Sequence, residues 1–552
     1  MQSAELAMPQ SDSAGRALPA RARALTTALV WLASLGLLLL ALGNRPVQRT
    51  QEARVLETAR EMLGGGARAW LIPHANGVVR LQKPPLAYWM SAAAFEIFGV
   101  HEWAGRVPMA LCGWLTLGMA YAFAARLFGP RAGLLAGGIL LGSYLFARHT
   151  RLAETDIVVT LAVTLAIGAI WRGFDADGDL TSTRVFAFDA ATFGWFQLSG
   201  AAMGLAIVAK GAPVAFAIIF LVALTLVERR WRTLLRWIAS GAPITILLVG
   251  APWWAYVLAL PEAEILRDEA SDLFEGRDHF HWFTAYFPML LKASLPWCGF
   301  GVAAIVSAVG AARASPNVRR LLLWCASIFI PLCIPGNKQD HYLLPLMPPL
   351  AMLTAWWIDQ SLLTSAGRGR NIAFGIFVVT VSLLTLGMLA LPIVARHVRG
   401  EVITLDVTLM SAGLLGAGLT WLLLAQRRRS GAFAAFTVVT AVMMSLLVSM
   451  WSPSMEKDDS RVLATRIAAA APAPYYFYGE KFSLPLVFAM RTVIPRIKAA
   501  DEIPALLATK AEMTVIVLTT PRVPDQPAPQ GFSRVAEIRS AQDRYAIYRA
   551  SR

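Results

Sequence analysis

Apolar runs separated by short polar segments recur from residue 25 to residue 450. A helix needs about 20 apolar residues to cross a hydrocarbon core about 30 Å thick. Runs at 25–43, 106–125, 132–147, 157–171, 192–209, 212–227, 238–258, 285–311, 321–335, 342–358, 372–394, 408–425 and 432–450 reach or approach that length. They predict a polytopic α-helical membrane protein with about thirteen transmembrane helices. Runs 132–147 and 157–171 fall short of the usual length. The first run follows a polar tail with Arg16, Arg21 and Arg23, and reads as a retained signal anchor rather than a removable leader.

Lys and Arg in short loops set the orientation. With the N-terminus in the cytoplasm, the inner loops hold Arg126 and Arg131, Arg172 and Arg184, Arg229 to Arg236, Arg313 to Arg320, Arg368 and Arg370, and Arg427 to Arg429. The outer loops are poorer in basic residues, and an odd number of spans puts the C-terminus outside. Three parts follow: a cytoplasmic tail at 1–24, a transmembrane part at 25–451 and an outer domain at 452–552. Outer loops at 44–104 and 258–284 are large. Within the first, residues 52–63 place Val55, Leu56, Ala59, Met62 and Leu63 on one side, which predicts an amphipathic helix along the membrane surface. Gly64-Gly65-Gly66 ends it. Beyond 452, strand-like runs at Tyr475–Tyr478, Thr514–Leu518 and Tyr545–Tyr548, with helical runs at 458–470 and 500–510, predict a small α/β domain.

Composition agrees. The 552 residues are 57% hydrophobic and 15% charged, where a soluble domain has roughly 25% charged. The net charge of +15 falls largely in the inner loops, so no nucleic-acid partner is expected. Cys112, Cys298, Cys325 and Cys333 lie in or beside apolar runs without metal spacing. No nucleotide-binding glycine loop follows a strand.

The informative polar stretch is Arg80-Leu81-Gln82-Lys83-Pro84-Pro85-Leu86-Ala87-Tyr88-Trp89. Two prolines deny a helix and hold the lysine on a stiff turn. Tyr88 and Trp89 follow at the spacing of an interfacial belt. Other ionisable groups fall on the same outer side: Glu52 and Arg54; Arg148, His149, Arg151, Glu154 and Asp156; Lys210; Lys292; and Lys338 to His341. Ionisable groups at span ends are functional candidates. Cations gathered there suit a lipid-borne phosphate as leaving group, and a carboxylate suits glycosyl chemistry. The plain alternative is a set of solvated loop charges.

Several of these segments resemble one family. Glu52-Ala53-Arg54 through Glu61-Met62, Pro73-His74 and Gln82-Lys83-Pro84-Pro85-Leu86-Ala87-Tyr88-Trp89 are similar to the first periplasmic loop of bacterial aminoarabinose–lipid A transferases. These are protein O-mannosyltransferase-like glycosyltransferases of the GT-C fold. Asp156, Ala209-Lys210-Gly211, Ala251-Pro252-Trp253-Trp254, Leu295-Pro296-Trp297, Lys338 through Pro345, and Tyr476-Phe477-Tyr478-Gly479 through Arg491 continue the likeness.

The resemblance implies an inner-membrane enzyme with thirteen spans and a periplasmic C-terminal domain. It implies transfer of a sugar from undecaprenyl phosphate to lipid A or another lipid or glycan acceptor. By the same match Lys83 would bind the donor phosphate, with Lys338, Arg54, Lys210 and Tyr342. Asp156 and Glu52 would be the site carboxylates, and Gln51, Gln82, Tyr88 and His341 would contact substrate. The family usually carries Asp-Glu where this chain has Gln51-Glu52, and Glu-Lys-Pro where it has Gln82-Lys83-Pro84. The lost carboxylate at 51 speaks against a hydroxyl acceptor, which needs a base, and is tolerable for an acceptor phosphate, which is already ionised. Glu52 is the carboxylate left to serve. Other readings are a divergent transferase with another sugar or acceptor, protein O-mannosylation, and a lipid-linked sugar transporter. The sequence assigns no cofactor; a divalent metal on His279, His281 and His341, with His74, is the weaker of two readings of these histidines.

Overall fold

The computed structural model describes residues 20–178, 188–264, 282–364, 368–399, 404–450, 459–479, 481–509, 512–520, 528–540 and 543–550. Most of the expected tail, most of loop 258–284 with His279 and His281, and residues 452–458 lie outside the described residues.

Each apolar run meets helix. Among the described residues five helices are long and apolar enough to cross a membrane: Glu102–Phe128, Thr155–Ala176, Ala190–Ala209, Arg370–Ala390 and Arg429–Ser449. The number rises to seven if two bent pairs each count as one span. Turns divide several runs. Run 132–147 becomes Pro130–Leu141 and Tyr144–His149, parted at Gly142-Ser143. Run 285–311 bends by 120° between Phe283–Ala293 and Cys298–Ala311, where Pro296 cannot continue the helical hydrogen bonding. Helix Thr155–Ala176 is buried over most of its length.

Ion pairs gather at both ends of this bundle. Helix Thr155–Ala176 carries Asp156 in its first turn, and Asp175 lies roughly 28 Å further along the axis at 1.5 Å per residue. At the Asp175 end, Arg320 meets Asp175 at 2.5 Å and Glu228 at 2.6 Å, and Arg236 meets Asp177 at 3.0 Å. The Asp156 end holds the candidate site.

The amphipathic helix exists as Thr50–Gly64, but its apolar side does not lie open to lipid. Val55, Leu56, Ala59 and Met62 are buried, packed between helices Leu86–Phe98 and Leu484–Met490. Glu52 and Glu57 are buried on the same helix. Protein covers the stripe that the hydrophobic pattern assigned to a membrane surface, because a distant C-terminal helix supplies the missing apolar partner. Gly105 lets the first long span approach: a Cβ there would collide with the Leu56 side chain.

A short hairpin follows, β1 (His74–Ala75) against β2 (Val78–Val79), antiparallel. Its turn residues Asn76 and Gly77 have φ of 55° and 74°, as a two-residue hairpin loop with Asn-Gly favours. Glu61 accepts from the Asn76 and Gly77 amides. Burial and the neighbouring Glu57 carboxylate raise Glu61 to about 7.

The C-terminal sheet contains β3 (Tyr475–Tyr478), β4 (Arg496–Ile497), β5 (Thr514–Thr519), β6 (Phe532–Ser540) and β7 (Asp543–Ala550), ordered β4-β3-β5-β7-β6. The β3 pairings to β4 and β5 are parallel, while β5–β7 and β7–β6 are antiparallel. Phe477, Ile516 and Ile547 pack on one face with Leu463, Ile467 and Leu486. Tyr476, Val515 and Val517 pack on the other with Ile503. This alternation is the period of two expected of a strand.

The sheet domain is tied to the first loop. Asn76 Nδ2 donates to Ile494 O, and Ile494 N donates to Asn76 Oδ1, both at 2.8 Å. Phe95 stacks on Phe488 at 6.3 Å, and Ser460 Oγ donates to Val47 O. Asn76→Ala should strand both Ile494 backbone groups and strain the turn, costing about 2–4 kcal/mol. Amide exchange at Ile494 should quicken; Asn76→Gly should relieve the strain alone.

Candidate active site

Four segments converge at the Asp156 end of the bundle. The first turn of helix Thr50–Gly64 brings Gln51, Glu52 and Arg54. The bend before Pro84 brings Lys83. The stretch from Arg148 to Asp156 joins helix Tyr144–His149 to the long buried helix. The 3-10 helix Asp340–Leu346 brings Asp340, His341 and Tyr342. Lys210 enters as the residue capping helix Ala190–Ala209.

The centre is Asp156. Its Oδ1 accepts from Lys210 Nζ at 2.6 Å, and His341 Nε2 lies 3.9 Å from Oδ2. The Lys210 ammonium sits 4.5 Å from the Tyr342 ring centroid. His341 also lies 3.7 Å from Asp340, and its ring is 5.9 Å from that of His149. His149 meets Glu154 at 3.1 Å, and Arg49 meets Glu154 at 3.1 Å. Arg148 and Lys292 flank Asp340 at 3.9 and 3.6 Å. The His341 hydrogen bond, helped by the nearby His149, Arg148 and Lys292 charges, holds Asp340 below the usual carboxylate range against the opposing effect of burial. Burial raises Glu154, but the His149 and Arg49 partners bring it down overall.

Lys83 differs from these groups. It is half-buried, and burial followed by the Lys210 charge lowers it to about 8, against the raising influence of Asp156. Among the described residues nothing lies within hydrogen-bonding or ion-pairing distance of its ammonium. The prolines give it a fixed base: helix Leu86–Phe98 starts directly after Pro85.

The expected residues are therefore placed as follows. Lys83, Asp156, Lys210, His341 and Tyr342 share one locality. Gln51 joins its edge, donating to Gln339 at 3.4 Å and accepting from Arg49 at 2.8 Å. Arg54 lies half-buried on the same first turn. Lys338 is buried and donates to the carbonyls of Cys333 at 3.0 Å and Pro335. Glu52 is 1% exposed; Arg106 Nε and Nη2 bind its oxygens at 2.8 and 3.1 Å, and the Ala153 amide donates to it at 3.1 Å. Tyr88 is buried in the core rather than at an interface. Gln82 is half-buried beside Lys83, its Oε1 buried without a donor. Among the described residues no three His, Cys, Asp or Glu side chains are arranged to hold a metal. His74 Nδ1 sits against the Ile72 carbonyl.

Sequence reasoning missed Arg49 and Arg106 as partners of the site carboxylates. Arg106 stood at the edge of an apolar run, where a lone cation calls for a buried partner.

Residues 82–256 match the family model described as dolichyl-phosphate-mannose-protein mannosyltransferase. An undecaprenyl phosphate-alpha-4-amino-4-deoxy-L-arabinose arabinosyl transferase of Pseudomonas aeruginosa is 32% identical over 369 residues, 64% of this chain and 63% of that relative. The chain thus matches 63% of that relative's length. The transferase of that name from Edwardsiella ictaluri is 28% identical over 68% of each chain. Among solved structures, ArnT from Cupriavidus metallidurans in the apo state superposes with a TM-score of 0.76 at 20% identity, covering 96% of this chain and 100% of that one. The same protein bound to undecaprenyl phosphate gives 0.75. The fold is of the GT-C class, shared with that solved ArnT. The likeness read from the loop motifs is borne out, since the matching relatives carry the name of the aminoarabinose transferases.

The Glu52–Arg106 pair generates a test. Glu52→Ala should leave a buried unpaired guanidinium and cost about 3–5 kcal/mol. The unfolding temperature should fall accordingly; an unchanged value would show that the pair does not hold the first loop to the bundle.

Proposed function

We propose that the chain is an integral inner-membrane glycosyltransferase that moves 4-amino-4-deoxy-L-arabinose from undecaprenyl phosphate to a lipid A phosphate. The carrying observation is Lys83: a fixed cation without a hydrogen-bond or ion-pair partner among the described residues, beside the Asp156–Lys210 pair, in a GT-C fold whose relatives bear that name. Thirteen spans, a periplasmic site and a periplasmic C-terminal domain fit this reading. The positive-inside loop pattern supports the orientation, and the two ion-pair clusters support spans between them.

In the reaction an acceptor phosphate oxygen attacks the anomeric carbon. The bond from that carbon to the donor phosphate oxygen breaks, and its electron pair stays on that oxygen. One negative charge thus passes from acceptor to departing undecaprenyl phosphate. Lys83 faces the departing phosphate and stabilises the charge as it forms. Asp156, held by Lys210 and His341, presents a fixed carboxylate to the sugar as positive character develops at its anomeric carbon. No base is needed at position 51, because the acceptor oxygen is already ionised.

Mass spectrometry of lipid A from cells with and without the gene tests the whole reading. A pentosamine increment that depends on the gene is expected; identical spectra would sink it. Lys83 gives a second test. Its amine is charged below about 8 and neutral above, so undecaprenyl phosphate binding should weaken as pH rises past that value, by up to about tenfold per unit. Lys83→Arg should flatten that fall and Lys83→Gln should weaken binding throughout, as read by titration of the purified chain.

A further inference from the structure

Most of the cations described around the site have an anionic partner. Lys210 has Asp156, Arg49 has Glu154, Arg148 and Lys292 share Asp340, and Arg106 has Glu52. Lys338 and Arg151 donate to backbone carbonyls instead, and Arg80 joins Lys83 in having neither kind of side-chain partner among the described residues. Among the described residues no carboxylate lies within ion-pairing distance of the Arg80 guanidinium, and its Nε is buried without an acceptor. Arg80 is half-buried, three positions before Lys83, and close enough that its charge helps push the proton off that lysine.

Both residues have fixed bases. The Arg80 amide donates to Pro73 O at 2.7 Å, closing the hairpin, and Lys83 leads into Pro84-Pro85. The stretch therefore cannot easily swing the two charges apart. Two like charges held together in a partly desolvated place are costly, and a buried N–H without an acceptor adds to the cost. A bound anion removes both penalties. A guanidinium offers a planar fork to phosphate oxygens, whereas an ammonium acts as a point charge.

We propose that Arg80 is a second phosphate-binding residue of this site, closing with Lys83 on a single phosphate monoester. This rests on the reading that the site binds a lipid-borne phosphate. It adds a discrimination that Lys83 alone does not supply. The sugar-bearing donor phosphate is a diester with one charge; on release it becomes a monoester that can carry two. A paired clamp holds the released form more tightly than the donor, and so favours the state toward which the reaction moves.

The test uses the full chain in lipid nanodiscs, the variants R80Q, R80K and K83Q, and two probes: undecaprenyl phosphate and its methyl phosphodiester. R80Q should weaken monoester binding by about tenfold or more, with a smaller effect on the diester, and R80K should recover part of the loss. Unfolding temperatures taken alongside identify any variant that fails to fold. Equal weakening of both probes with a lowered unfolding temperature would overturn the clamp, marking a structural arginine. R80Q binding the monoester within about twofold of the parent chain while K83Q is weakened would also overturn it, and would leave the lipid-phosphate reading standing. If the parent chain binds neither probe, the lipid-phosphate reading fails, and the clamp with it. A parallel titration with lipid A, with and without its phosphates, identifies the source: where R80Q weakens undecaprenyl phosphate, an equal loss for phosphorylated lipid A shows that the clamp takes the acceptor's monoester as well, and no loss there confines it to the released donor phosphate.

Discussion

A charge drawn away from water must meet its opposite, and this requirement organises one end of the bundle. The Glu52–Arg106 pair is its deepest instance, with both side chains 1% exposed. Arg106 also donates to the carbonyls of Leu42 and Arg45 at 2.6 and 2.7 Å. One guanidinium thereby fastens the start of the first loop, the first turn of its helix and the long span Glu102–Phe128. The loop that carries Lys83 is held against the bundle through the same helix.

Matching elsewhere is what gives Lys83 and Arg80 their meaning. Carboxylates around Asp156 are shared among lysines, arginines and histidines, so the arrangement is close to neutral where it is complete. Lys83 and Arg80, on one bend beside two prolines, add positive charge that no carboxylate among the described residues matches. A site with a local surplus of fixed cations has its electrostatics set before any anion arrives, which lowers reorganisation when charge moves during a reaction.

Much of this was legible in the sequence and some was not. Helices followed apolar runs, since burying such runs is the dominant local constraint. Strands at Tyr475–Tyr478 and Thr514–Thr519 followed their β-branched and aromatic content. Helix Thr50–Gly64 showed its period but not its partner: an amphipathic stripe reports that something apolar covers it, and says nothing of whether that is lipid or a helix more than four hundred residues away. The same limit applies to charge. Sequence placed Glu52, Asp156, Lys83 and Lys338 at one level, yet only the three-dimensional structure separates a carboxylate enclosed by Arg106, or a lysine bonded to its own loop's carbonyls, from a lysine with neither among the described residues. The Lys83 motif was readable because prolines fix it locally; the Arg106 contact is long-range and left no local spacing to read.

The two-way bond between Asn76 and Ile494 bears on how such chains can be recombined. A turn amide that reads the main chain of a remote sheet makes the hairpin and the terminal domain one inherited cassette. A chimera that exchanges the terminal domain alone would present an unfamiliar edge to the hairpin, leaving the stripe of helix Thr50–Gly64 partly bare. Exchange of both segments together keeps the roof and the wall it rests on matched.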